Sequence, residues 1–350
     1  MPRYSAIDDF LIDSESSPII DVRAPIEFNQ GHIPGAFNVP LFDDQERKEI
    51  GTLYKTDGRQ ASVVRGLEIV GPKMAALANS ILDLCQEKRH IRIHCWRGGM
   101  RSRSFAWLME QVDLEPTVLQ GGYKAFRRHV LESFKRPLGL LVVSGLTGAG
   151  KTKQLKLLAD CGQQVIDLER LANHRGSAFG GIGQGSQPSV EHFENELYHL
   201  IESLDPNRPI WVEDESRNVG AIKLPHHFFH QLRKAPAIFM DVDRGIRNRL
   251  IMEDYGELPV EHLQSAVKRI SKRMGGQNVK QCLDLMAENR LPECVDMLLA
   301  YYDKNYLDNK SKMNRQHFVD FPTEDPVSIS TTQKLISISE SLQVSANTGI

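Results

Sequence analysis

The sequence has no Cys-x-x-Cys pair. Its five cysteines, Cys85, Cys95, Cys161, Cys282 and Cys294, fall at irregular spacings, so no zinc or other metal site built on paired thiolates is expected. An odd cysteine count in a chain of 350 residues also argues against a disulfide framework and for a reducing, cytoplasmic setting. No stretch approaches the ~20 consecutive apolar residues that a membrane helix needs. The opening residues, Met1 to Ser14, lack a basic start leading into an apolar run, so no signal peptide is expected. Neither sign of charge is in excess: 43 Lys and Arg face 45 Asp and Glu, a formal net charge of −2. Nucleic-acid binding must then come from local basic patches and not from the chain as a whole. No internal repeat is visible. What remains is an ordinary globular composition, 41% hydrophobic, long enough for two domains at ~150 residues each.

Against this background two loops stand out. His94-Cys95-Trp96-Arg97-Gly98-Gly99-Met100-Arg101-Ser102 places a cysteine at the base of a glycine- and arginine-rich turn. The strand predicted over 90–94 runs into it, and a helix predicted over 101–112 follows. Such a turn aims backbone N–H groups inward as an anion nest, and the helix N-terminus adds positive potential. Arg97 and Arg101 add full charges. These surroundings suit a nucleophilic cysteine, with Gly98 and Gly99 allowing the tight turn. The other four cysteines read as small buried hydrophobes.

The second loop is Gly145-Leu146-Thr147-Gly148-Ala149-Gly150-Lys151-Thr152, which fits the phosphate-binding pattern G-x-x-x-x-G-K-[ST]. An apolar strand over 138–144 precedes it and an amphipathic helix over 152–160 follows, the context that the pattern requires. Gly145, Gly148 and Gly150 shape the cradle, Lys151 reaches phosphate oxygens, and Thr152 faces a phosphate or Mg²⁺. An acidic partner belongs at the end of a neighbouring strand. The run Ile210-Trp211-Val212-Glu213-Asp214-Glu215 fits, with Glu213, Asp214 and Glu215 not told apart by sequence and Glu213 and Asp214 put first; Asp167 is a weaker candidate.

Strands are also predicted over 18–23, 116–119, 164–168, 209–212 and 237–242, with helices over 72–87, 123–136 and 190–204. Strand and helix alternate, which indicates α/β architecture with doubly wound, mostly parallel sheets. Pro137 marks the junction of a first domain, 1–136, with a second, 137–350, whose C-terminal region turns helical past Asp241. The polar stretch 42–71 has no clear period. Residues 173–185 are glycine-dense and read as a mobile lid or substrate loop. The Ser/Thr-rich tail from Ser328 reads as loose. Local basic clusters are Lys124, Arg127 and Arg128; Arg244, Arg247 and Arg249; and Lys268, Arg269, Lys272 and Arg273.

Asp21-Val22-Arg23-x-Pro25-x-Glu27-Phe28, with Gly31-His32-Ile33-Pro34-Gly35-Ala36 after it, closely resembles the N-terminal signature of rhodanese-like domains. Such domains carry sulfur or selenium on the loop cysteine. Cys95 to Arg101 has one residue more between cysteine and arginine than the common sulfurtransferase loop. It matches the spacing of cysteine phosphatases and makes a wider nest. A rhodanese-like domain followed by a P-loop domain resembles the tRNA 2-selenouridine synthase family. That resemblance implies a transferase acting on tRNA with 2-thiouridine at the wobble position, by way of a geranylated intermediate. It implies geranyl diphosphate and selenophosphate as substrates and no tightly bound cofactor, with Mg²⁺ as a companion of the phosphate loop. It makes Cys95 the selenium-carrying nucleophile, with Arg97, Gly98, Gly99 and Arg101 around the anion. The phosphate loop then grips the diphosphate of the geranyl donor. Two other readings of the loops stay open: a P-loop kinase or ATPase with a regulatory rhodanese domain, and a Cys-x5-Arg phosphatase. A non-catalytic tRNA-binding scaffold is the plainest alternative.

Overall fold

A computed structural model describes residues 2–12, 17–86, 88–177, 179–310 and 318–347. The chain forms two units, 1–133 with 194–199, and 134–193 with 200–350. No helix among the described residues is long and apolar enough to cross a membrane.

The first unit runs β1 (Arg3–Ser5), α1 (Ile7–Ile12), β2 (Ile19–Asp21), α2 (Pro25–Gln30), β3 (Phe37–Asn38), α3 (Asp44–Thr56), α4 (Gly58–Val70), α5 (Met74–Cys85), β4 (His90–His94), α6 (Met100–Glu110), β5 (Glu115–Leu119) and α7 (Gly122–Ser133). Its sheet has the order β1-β5-β4-β2-β3, and every pairing is parallel. The chain leaves β2 toward one edge and β4 toward the other, so the crevice between their C-terminal ends is the topological switch point, where α/β sheets bind ligands. Ile20, Ile81, Ile91, Ile93, Phe105 and Val118, each fully buried or nearly so, form its core.

The unassigned stretch 42–71 is a helical hairpin, α3 and α4. Its start carries a capping box: Asp43 accepts from the Glu46 N–H at 2.8 Å while Glu46 accepts from the Asp43 N–H at 2.9 Å. The hydrophobic period fails to reveal α4 because its buried face is small, Ser62 and Gly66. Val64 and Leu67 meanwhile point to solvent. Phe42 packs over this face, 3.4 Å from where a Cβ of Gly66 would sit.

The second unit comprises β6 (Leu140–Gly145), α8 (Lys151–Asp160), β7 (Gln164–Ile166), α9 (Leu168–Ala172), α10 (Val190–Glu202), β8 (Ile210–Glu213), the hairpin β9 (Asn218–Val219) and β10 (Ile222–Lys223), α11 (His226–Lys234), β11 (Ala237–Asp241), α12 (Arg244–Tyr255), α13 (Val260–Arg269), α14 (Ser271–Met274), α15 (Gly276–Ala287), α16 (Leu291–Lys310), β12 (Phe318–Pro322) and α17 (Ile329–Asn347). The middle of α10, 194–199, groups with the first unit. The main sheet, β12-β11-β6-β8-β7, is again wholly parallel. Its switch point falls between β6 and β8.

Two elements add to the sequence reading of the C-terminal region, a strand among its helices and a helix in the tail. β12 extends the sheet beside β11. Residues expected to be loose form α17, which buries Thr331, Thr332, Leu335 and Ser339. Their hydroxyls are satisfied locally, Thr332 on the Ser328 carbonyl at 2.9 Å and Ser339 on that of Ile336 at 2.6 Å. Such back-bonding lets Ser and Thr line a packed helix face.

Candidate active sites

The cysteine loop leaves the end of β4, next to β2 at the switch point; Asp21 and His94 are in register. Cys95 is buried, 3% exposed. Two glycines decide the shape of the loop. Gly98 has φ +64° and Gly122, opening α7, has φ +58°, values that L side chains rarely adopt. A Cβ on Gly98 would lie 2.6 Å from the Leu119 carbonyl oxygen. The α7 N–H groups of Tyr123 and Lys124 donate to the carbonyls of Cys95 (2.8 Å) and Trp96 (3.0 Å), locking the turn. Gly99 differs: a Cβ there meets nothing within 4 Å. α6 begins at Met100, one residue before the predicted start, and its first-turn N–H groups have no intrahelical acceptor.

Arg97 is exposed at the rim. Arg101 turns its guanidinium onto Glu27, at 2.7 and 3.3 Å. Burial works to raise the Glu27 carboxyl, but Arg101, the Ala24 N–H and Arg47 outweigh it and hold it below its usual value. Ser102 was missed in the sequence although it directly follows Arg101. It is fully buried, with Oγ 3.3 Å from Cys95 Sγ.

The Asp-Val-Arg signature builds the support beneath. Arg23 is buried, donates to both Asp21 carboxylate oxygens and to the Gly31 carbonyl (2.7 Å), and stacks 3.7 Å from the Tyr123 ring centre. Burial pushes His94 down to about 4, so it is neutral at physiological pH.

In the second unit the phosphate loop leaves β6 at its switch point. Gly148 (φ +81°) and Gly150 (φ +78°) are left-handed. Lys151 Nζ folds back on the loop, 3.1 Å from the Gly145 carbonyl and 3.4 Å from that of Leu146. Thr152 Oγ1 lies 3.0 Å from both Glu169 and Glu213 carboxylates. One hydroxyl proton serves only one of them. Burial and then Glu169 raise the Glu213 carboxyl well above its usual value. Burial and Glu169 likewise lift Glu215 to about 7.

Of the predicted acids, only Glu213 hydrogen-bonds Thr152. Asp214 accepts from Ser144 Oγ at 2.7 Å and lies 3.4 Å from Arg233, and Asp167 caps α9 through the Arg170 N–H at 2.8 Å. Glu215, one of the three carboxylates in the predicted run, and Glu169 complete the cluster. Glu169 was overlooked because it sits inside α9. Oxygens of Glu169, Glu213 and Glu215 lie within 4.8 Å of one another.

A cavity of about 1010 Å³ opens from this loop. Its far wall is hydrocarbon, from Leu250 and Ile251 of α12, Leu263 of α13, Met286 of α15, and Leu298 and Leu299 of α16. The wall starts at the phosphate grip itself: Cβ atoms on Gly148 and Gly150 would lie 2.8 Å from Ile251 Cδ1 and 3.5 Å from Leu250 Cδ1. Arg247 ties the helices to the loop. It donates to the Thr147 carbonyl (3.1 Å) and pairs with Asp303 of α16 at 2.9 and 2.7 Å. It is 3% exposed, so it is a strut and not part of a basic patch. Arg127 is likewise committed, to Glu194 and Asn195. The 173–185 segment, of which Ala178 lies outside the described residues, lines the cavity with Arg175, Gly176, Ser177 and Phe179. It anchors in the helical core through Ile182.

Comparison with known proteins bears on both units. Residues 7–129 match the model of the rhodanese-like domain, and residues 138–333 match that of the tRNA 2-selenouridine synthase AAA domain. The chain is 39% identical to a tRNA 2-selenouridine synthase of Nitrosomonas europaea, over 71% of this chain and 66% of that one. It is 42% identical to one of Bdellovibrio bacteriovorus, over 69% and 65%. A Sulfurovum relative of the same name is 35% identical over 88% of this chain and 91% of its own. The chain thus spans just under two thirds of the first two relatives and nearly all of the third.

Proposed function

The chain belongs to the tRNA 2-selenouridine synthase family, and from that premise we propose that it converts wobble 2-thiouridine of tRNA to 2-selenouridine in two steps, in the cytoplasm. In the first, the thiocarbonyl sulfur bonds to C1 of geranyl diphosphate as the bond to diphosphate breaks. In the second, selenium of selenophosphate bonds to C2 of the base as geranylthiolate leaves, and hydrolysis of the Se–P bond then releases phosphate; Cys95 is the nucleophile of this site, with Arg97, Gly98, Gly99 and Arg101 around the anion.

One observation carries the first step: the phosphate loop opens into a cavity that has an aliphatic wall beside its polar residues. A prenyl diphosphate suits both ends, and each methylene of its chain that is buried adds ~0.8 kcal/mol. Gly145, Gly148 and Gly150 give the cradle, while Lys151 neutralises charge that grows on the leaving diphosphate. Mg²⁺ fits beside them. Thr152, Glu169, Glu213 and Glu215 offer hard oxygen ligands, and Glu213 Oε1 is buried with no hydrogen-bond partner among the described residues. A cation there would add charge for the diphosphate.

The test is a reaction of purified protein with 2-thiouridine tRNA, geranyl diphosphate and selenophosphate, read by nucleoside mass spectrometry. Wild type forms both modified nucleosides, Cys95→Ala stops at the geranylated one, and Lys151→Ala forms neither. If no modified nucleoside appears and ATP is instead hydrolysed in a Lys151-dependent manner, the kinase or ATPase reading replaces this one.

A further inference from the structure

We propose that Ser102 is a catalytic residue of the cysteine site, its hydroxyl switching partners with the protonation state of Cys95 so as to stabilise the thiolate. The inference rests on Cys95 being the nucleophile, as above, but not on what it attacks.

Ser102 Oγ lies 3.3 Å from Cys95 Sγ and 3.2 Å from the Gly99 carbonyl oxygen. A serine hydroxyl has one proton to give and two lone pairs to receive. With Cys95 as a thiol, the S–H points to Ser102 and the Ser102 proton goes to Gly99, so every group is satisfied. When the sulfur loses its proton, the hydroxyl rotates and donates to the sulfur, a charge-assisted bond stronger than the one it leaves. The Gly99 carbonyl is not orphaned, because it keeps the Arg103 N–H at 3.1 Å. The rotation therefore avoids the penalty of a buried unsatisfied acceptor. Ser102 is fully buried in the first turn of α6, where water does not compete for the bond.

Charged and titratable neighbours surround the loop: Asp21 at the end of β2 and Arg23 past it, Glu27 on α2, His94 on β4, Arg97 and Arg101 on the loop and α6, and Tyr123 and Lys124 on α7. Asp21 is held below its usual value, with His94 and Arg23 outweighing burial. Glu27 is lowered too, and His94 titrates near 4. These three change charge far below the range in which a cysteine titrates. A comparison of two variants that differ only at 102 cancels the others.

The experiment is alkylation of the intact protein by iodoacetamide from pH 5 to 10, followed peptide by peptide by mass spectrometry, for wild type, Ser102→Ala and Ser102→Thr. Cys161, exposed on the second unit, is the internal reference. In Ser102→Ala the Cys95 rate falls about tenfold at neutral pH, the cost of one hydrogen bond to a charged group. At the alkaline end its rate equals or exceeds that of wild type, because a thiolate relieved of stabilisation is the better nucleophile. The two curves therefore cross. Ser102→Thr, which keeps the hydroxyl, follows wild type, and Cys161 is unchanged throughout. A merely structural role would lower the Cys95 rate at every pH or alter the near-UV circular dichroism, and either result overturns the proposal. So does an Ser102→Ala profile that superimposes on wild type. A wild-type Cys95 that reacts at no pH overturns both this proposal and the nucleophile reading, whereas normal crossing curves without selenouridine formation overturn only the reading of the substrate.

Discussion

A methyl group on Gly122 would lie 2.3 Å from the Cys95 carbonyl oxygen and 2.4 Å from the Gly98 nitrogen, on a backbone already at φ +58°. Gly122→Ala must therefore push the β5–α7 turn off the cysteine loop. The expected loss is about 2 kcal/mol of first-unit stability, read by urea unfolding, together with loss of the Cys95-dependent product. The same site has a pH signature. Glu27 is held below its usual value of 4.5, so its pairing contributes stability that is complete above that value. This stability is lost as pH falls through the lower, folded value. Wild type should lose urea resistance between pH 5 and 3 more steeply than Glu27→Gln. A wild-type curve no steeper than the variant's would remove Glu27 from the account. Cys95, Arg97, Gly98 and the phosphate-loop residues were legible because spacing alone marks a nest. Ser102 and Glu169 were not, because their role lies in what they face across the fold and not in a pattern along the chain.

Helix α17 and the strut from α12 to α16 show what whole elements add. Leu335 is fully buried against the core of the second unit, and Gln154 of α8 bonds Thr332 at 2.7 Å. Leu335→Ala should cost about 3 kcal/mol, measured by thermal or urea unfolding; a loss under 0.5 kcal/mol would return the tail to a loose appendage. Arg247→Ala leaves Asp303 and the Thr147 carbonyl without their partner. A loss of about 3 kcal/mol is expected from breaking a buried pair, along with weaker retention of geranyl diphosphate in equilibrium dialysis. Arg247 read as one of a basic trio in the sequence, and only its burial shows that its charge is turned inward. Helices α3 and α4 escaped notice for the opposite reason: one buries serine and glycine and exposes valine and leucine, so apolar periodicity points to the wrong face.

On the scale of the molecule, each site is complete within one unit. The cysteine loop, its glycine buttress and Glu27 all lie in 1–133, while the phosphate loop, carboxylates and aliphatic wall lie in the second unit. Cys95→Ala and Lys151→Ala should therefore complement each other. Mixed in one tube with 2-thiouridine tRNA and both donors, they are expected to restore 2-selenouridine that neither forms alone. Geranylated tRNA that accumulates in the mixture without conversion would mean that the intermediate is not passed between protein molecules.

The sequence by itself determined the α/β class, the order of the two domains, the cysteine and the phosphate grip. These depend on local rules: strand, glycine turn and helix N-terminus within ten or so residues, for which neighbours in the chain are neighbours in space. Tertiary structure alone decided which carboxylates face Thr152, that Arg247 and Arg127 are buried or paired, that the Ser/Thr-rich tail is a packed helix, and that hydrocarbon begins where the phosphate grip ends. Each of these depends on groups brought together from distant parts of the chain, and burial and charge pairing have no signature until those groups meet.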